Sequence, residues 1–139
     1  MKPVILAAVR PQGAVAVHRA LGEYAELLPV YAYADAVAAL RSRRDIDLVL
    51  CGSFFDETRA LDLLRLVRSE FPALPFVSCR IGSRAVAPVL VEAMGIAAQS
   101  MGAAAFIDMP LLDADSTTDV EFRSLVLRHI RKSGTGTNK

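Results

Sequence analysis

With 139 residues, 53% of them hydrophobic and 22% charged, the chain has the size of one domain around one core and is too apolar to be disordered. Its formal net charge of +1 supplies no field that would recruit nucleic acid or an anionic membrane, so neither is expected as a partner. Its apolar runs break well short of the roughly 20 residues needed to cross a bilayer.

In chain order, Val4 to Val9 is a continuous apolar run, the pattern of a strand buried on both faces. Met1 to Val9 has some look of a signal peptide. Pro3, the short β-branched run and the lack of a small-residue cleavage site favour a first strand instead. Arg10-Pro11-Gln12-Gly13 turns into a helix with Ala14, Val17, His18 and Leu21 at helical spacing. Leu28 to Tyr33 reads as a weaker second strand, and Pro29 places it at an edge. Asp35 is positioned to cap a short helix carrying Val37, Ala38 and Leu40. Asp47 to Cys51 is the third strand, ended by Gly52. Glu57 to Phe71 is an amphipathic helix with Leu61, Leu64, Val67 and Phe71 on one side and Arg59, Asp62, Arg65 and Glu70 on the other. Pro75 to Cys79 is the fourth strand, Pro88 to Met101 a helix and Ala104 to Asp108 the fifth strand. Thr118-Asp119-Val120-Glu121 fits a capping box opening a last helix to Lys132, with Arg128, Arg131 and Lys132 near its negative end. The domain is expected to span 1–132, and the apolar-free tail 133–139 to be disordered.

Alternating strands and helices imply parallel pairing with right-handed crossovers. Five such strands point to a flavodoxin-like, doubly wound three-layer α/β sandwich of order 2-1-3-4-5, whose functional crevice lies at the carboxyl ends of strands 1, 3 and 4.

Four segments carry a family likeness. They are Asp45-Ile46-Asp47-Leu48-Val49-Leu50, Ala60-Leu61-Asp62-Leu63-Leu64-Arg65, Leu74-Pro75-Phe76-Val77 and Gly102-Ala103-Ala104-Ala105-Phe106-Ile107-Asp108-Met109-Pro110. Over nearly the whole ordered chain the sequence resembles the receiver domain of bacterial two-component response regulators. In that alignment the phosphate-accepting aspartate falls on Gly52 and the acidic metal pair within Ala8-Val9-Arg10. The switch Ser/Thr falls near Arg80, the aromatic switch position on Phe106 and the lysine on Met109. The resemblance therefore implies a degenerate receiver. Aspartyl phosphorylation needs a carboxylate nucleophile and a hard cation held by further oxygens, which Gly52, Ala8 and Val9 do not offer. Asp56 and Glu57 lie on the nearby loop. Their expected role is to start the third helix rather than to replace the missing acceptor.

Arg10 follows strand 1, Arg80 follows strand 4 and Arg84 lies just beyond, so all three are candidates to surround one end of the sheet. They are read either as solvated surface charge or as an anion site, because guanidinium binds phosphate and carboxylate bidentately. No glycine-rich phosphate loop accompanies them: Gly82-Ser83 lacks the rest of one. Cys51 and Cys79 are expected at matching positions on adjacent strands, either as small core residues or as a redox-responsive pair. Two cysteines without metal-ligand spacing fit free thiols in a reducing cytoplasm. His18 and His129 lie on different helices, no Gly-x-Ser-x-Gly elbow occurs, and no metal, cofactor or enzymatic activity is expected.

The fourth helix departs from the usual pattern. Glu92, Gln99 and Ser100, its polar residues, share one arc with Val89, Ala93 and Ile96, opposite an expected core side of Leu90, Met94, Ala97 and Met101. A water-facing arc that is partly apolar marks either a protein contact or scattered surface residues. Receivers commonly dimerise through this region, so the resemblance implies a dimer or partner face at Val89, Glu92, Ala93 and Ile96. The functional expectation is a cytoplasmic, homodimeric signalling or regulatory module that is not phosphorylated and engages a protein partner. The alternative is a small anionic ligand or nucleotide in the arginine-rimmed crevice, and an enzyme on the same fold is a third class.

Overall fold

The computed structural model describes residues 2–82, 87–110 and 116–130. The elements alternate strictly: β1 (Val4–Ala8), α1 (Pro11–Leu21), β2 (Glu26–Val30), α2 (Tyr33–Ser42), β3 (Leu48–Gly52), α3 (Ala60–Glu70), β4 (Phe76–Gly82), α4 (Pro88–Ser100), β5 (Ala105–Pro110) and α5 (Ser116–Leu127). The strands form one sheet of order β2-β1-β3-β4-β5, parallel at every pairing. This is the expected flavodoxin-like sandwich.

Side-chain alternation splits the core into two layers. Leu6, Ala8, Val49 and Cys51 meet Leu40 of α2, Leu63 and Val67 of α3 and Ala98 of α4 on one face. Ile5, Ala7, Leu50 and Val77 meet Val17 and Leu21 of α1 and Phe122 and Val126 of α5 on the other. Every residue of β1 and β3 is buried. β2 carries Pro29 and is only half buried, as an edge strand should be. Gly102, with φ of 106°, turns the chain from α4 into β5.

Several boundaries shift from the sequence reading. β2 ends at Val30 and α2 starts at Tyr33, so Asp35 lies in the first turn rather than capping it. α5 begins at Ser116, which places Thr118 inside the helix and ends the capping-box reading. Asp119, in that first turn, accepts two bonds from the Arg19 guanidinium of α1, at 2.8 and 3.1 Å. α5 stops at Leu127, before Arg128; Arg131, Lys132 and the tail 133–139 lie outside the described residues.

A reciprocal clamp fixes the amino edge. The Val4 N–H donates to Asp47 Oδ2 at 2.8 Å, and the Asp47 N–H donates to the Val4 carbonyl at 2.7 Å. It sets the β1–β3 register, in which Ile5 stands opposite Leu48. Asp47→Ala leaves the N–H of buried Val4 without its acceptor and should cost about 1.5–3 kcal/mol, the range for a hydrogen bond to a charged group. Urea unfolding should show this as a lower midpoint at unchanged slope.

Candidate functional site at the carboxyl edge of the sheet

The edge to which the resemblance assigns the degenerate acceptor position is packed with hydrocarbon. Val9 follows β1 and is 1% exposed, on the α1/α5 face. A Cβ placed on Gly52 would lie 3.5 Å from Val9 Cγ1, and one on Gly13 of α1 3.5 Å from Val9 Cβ and 3.8 Å from Ile81 Cβ. The Val9 side chain thus lies against both glycines, one ending β3 and one on α1. Met109, in the lysine position, is 1% exposed in the same cluster, and Ala8 is buried in the opposite layer. Bare backbone at Gly52, two methyls at Val9 and a thioether at Met109 supply no carboxylate nucleophile and no side-chain oxygen. Among the described residues no three His, Cys, Asp or Glu gather as a metal cluster.

The loop after β3 corrects the reading of Asp56 and Glu57. Both take left-handed backbone, with φ of 45° and 64°, and α3 starts only at Ala60. Asp56 Oδ2 accepts the Tyr33 N–H at 2.7 Å, so it closes the start of α2, where Ala32 offers no capping side chain. The Arg59 guanidinium stacks 3.9 Å from the Tyr33 ring centroid and ties the same loop to α2.

The arginines part company. Arg10 is exposed and starts α1, its carbonyl accepting the Ala14 N–H at 2.9 Å. Arg80 lies within β4, since that strand runs on to Gly82 rather than stopping at Cys79. It is 8% exposed, and its Nη2 lies 2.7 Å from Oδ1 of Asp108, its cross-strand neighbour on β5. Its charge is therefore engaged toward β5, on the side of the strand away from β1 and Arg10. Arg84 lies outside the described residues. The sequence reading missed Asp108 as a partner because the strand boundary fell one residue before Arg80.

Phe106, in the aromatic switch position, is half-buried beneath α4. A Cβ on Gly95 would come within 3.1 Å of its ring, so the helix crosses β5 where it has no side chain. The buried face of α4 is rotated relative to the sequence reading. Gly95 and Ala98 are buried, and Val91, Met94 and Met101 half-buried, whereas Leu90 and Ala97, expected to face the core, are exposed. The outer face therefore joins Leu90 and Ala97 to Val89, Ala93 and Ile96, with Glu92 exposed among them; Val89 is 73%, Ile96 59% and Leu90 52% exposed.

The cysteines do not sit at matching positions. Cys51 stands opposite Ser78, and Cys79 opposite Gly52, one step along, so the two thiols belong to opposite core layers. Burial pushes the Cys51 thiol well above its ordinary range and the Cys79 thiol up to about 12. Neither meets the exposure and lowered pKa that thiol reactivity requires.

No protein-family model matches this chain, and no curated protein matches it. Solved structures do. A response regulator from Thermotoga maritima superposes with a TM-score of 0.69 at 22% identity, over 94% of this chain and 98% of that one. The receiver domain of NtrX from Brucella abortus gives 0.65 at 23% identity, over 89% and 94%. A CheY-like response regulator receiver domain protein from Methanospirillum hungatei JF-1 gives 0.66 at 16% identity, over 92% and 95%. This is the receiver fold. On it, Gly52 ends the central β3 at the carboxyl edge, with the Val9 side chain against it.

Both thiols should resist iodoacetamide in the native protein at mildly alkaline pH and be fully alkylated in denaturant. Intact mass reads the outcome, and native labelling of either cysteine at the denatured rate would show that these strands open readily.

Proposed function

We propose that this chain is a receiver-like signalling or regulatory module that works without aspartyl phosphorylation, as a homodimer in the cytoplasm, by protein–protein contact rather than by catalysis. The observation that carries the reading is the side chain of Val9 packed against Gly52 and Gly13. A phosphorylatable crevice needs a carboxylate and a cation there, and this one holds methyl groups sealed from water. The similar structures named as response regulators support a signalling role.

The contact surface in this reading is the outer face of α4. Its exposed Val89, Leu90 and Ile96 leave the helix apolar on both sides. An isologous two-fold contact would bury the same patch on both copies, and a stable one needs on the order of 1,200 Å² in total. Among the described residues no helix is long and apolar enough to cross a membrane, so this apolar face is not part of a spanning segment.

Two measurements test the proposal separately. Incubation with acetyl phosphate and magnesium should leave the intact mass unchanged, and a phosphoryl group gained on Asp56 or Glu57 would overturn the non-phosphorylated reading. Ile96→Glu should convert the dimer to a monomer, costing about 3–5 kcal/mol of association because the charge is unpaired in a desolvated interface. Its circular dichroism should be unchanged, because the side chain points away from the core. Light scattering that finds a monomeric wild type would remove the homodimer.

A further inference from the structure

An arginine-rimmed cleft does occur in this molecule, at the edge opposite Gly52. The carboxyl-terminal ends of α2 and α3, with the segments leading into β3 and β4, part around a space of about 370 Å³. Its floor is apolar: Leu40, Ile46 and Leu74 are buried and Phe71 half-buried. Arg41, Arg43 and Arg44 stand in its wall, which carries no carboxylate.

Two of these guanidiniums are held in place from outside the lining. Glu70 of α3 takes Arg41 of α2 bidentately, at 3.2 and 2.7 Å, bridging the two helix ends. Asp45 takes Arg43 in the same way, at 3.0 and 2.6 Å, with Glu26 farther off at 3.5 Å. A bidentate pair uses two of the five guanidinium donors, which leaves donors on both arginines for a ligand. Arg44 is exposed and, among the described residues, makes no hydrogen bond or ion pair.

We propose that this cleft binds a small amphipathic monoanion: an aromatic or branched aliphatic body with one carboxylate or sulfonate. The body lies on Leu40, Ile46, Phe71 and Leu74, and the anionic group meets Arg44. The volume is within the range of about 300–1,000 Å³ usual for small-molecule sites, where a mainly apolar lining and a few placed polar groups fix orientation. A cation finds three arginines and no acceptor side chain in the wall. A polyanion brings surplus negative charge beside Glu70 and Asp45, whereas one negative charge matches Arg44, the wall arginine with no carboxylate partner among the described residues.

Anilinonaphthalenesulfonate, an aromatic body with one sulfonate, is a suitable probe. Fluorescence titration with amide NMR shift mapping on the full chain should place it on residues 40–46 and 71–74. Affinity should fall with added salt, and Arg44→Glu should weaken binding about tenfold or more, the scale of losing one charge-assisted contact. The same titrations in Ile96→Glu separate this cleft from the apolar face of α4, and the cleft signal should persist there. Shifts confined to α4, or an affinity untouched by Arg44→Glu, would overturn the proposal and leave the non-phosphorylated, protein-binding reading unaffected.

Discussion

Every residue of β1 and β3 is buried, and a strand buried on both faces persists only where helices cover both sides of the sheet. That constraint organises the rest of the molecule. It assigns α1 and α5 to one layer and α2, α3 and α4 to the other, and it lets successive residues of a strand feed different cores. It also reaches the carboxyl edge. Ala8 continues one layer and Val9 the other, so both cores extend to the point where a receiver opens a polar crevice. Apolar burial there needs no cation, whereas a group of carboxylates would repel itself without one.

The residues at that edge act as a set. Val9 lies against Gly52 and Gly13, and Met109 extends the apolar cluster from β5. A carboxylate placed at position 52 alone would face Val9, with Met109 rather than a cationic side chain in the same cluster. An uncompensated buried charge costs about 3–5 kcal/mol, a large share of a small domain's stability. Aspartyl-phosphate chemistry at this edge would need different residues at positions 8, 9, 52 and 109 together. This is why the missing residues and the packing that replaces them are one observation rather than several.

The sequence was most legible where apolar runs are continuous or alternate cleanly. The strand order and the edge position of the Pro29 strand were both legible in the sequence, because each depends on residue type along one element. Contacts set by register or close approach could not. Cys51 and Cys79 look equivalent within their strands, but one step of register puts them in opposite layers. Asp56 looks like the start of its own helix, yet left-handed backbone at 56 and 57 carries its carboxylate to Tyr33 on α2. On α4, hydropathy favoured Leu90 as a core residue. Gly95 faces the Phe106 ring instead, where an added Cβ would make a tight contact at 3.1 Å.

The same glycine explains how α4 can be exposed and still be in place. Glycine in a helix interior costs about 1 kcal/mol relative to alanine, and here Gly95 lies against Phe106 while Ala98 is buried beside it. Gly95 and Ala98 are the fully buried positions of the helix, and both are small, so α4 gains less from its own core than α3 does through Leu63, Leu64 and Val67. A helix with a thin inner contact and apolar residues outside has most to gain from a second surface. In the dimeric reading, association would bury Val89 and Ile96 and hold α4 on Phe106 at the same time. Dimerisation and helix docking would then be linked, each stabilising the other by mass action. A partner contact of this kind would act on the sheet through Phe106, without any reaction at the edge that Val9 has closed.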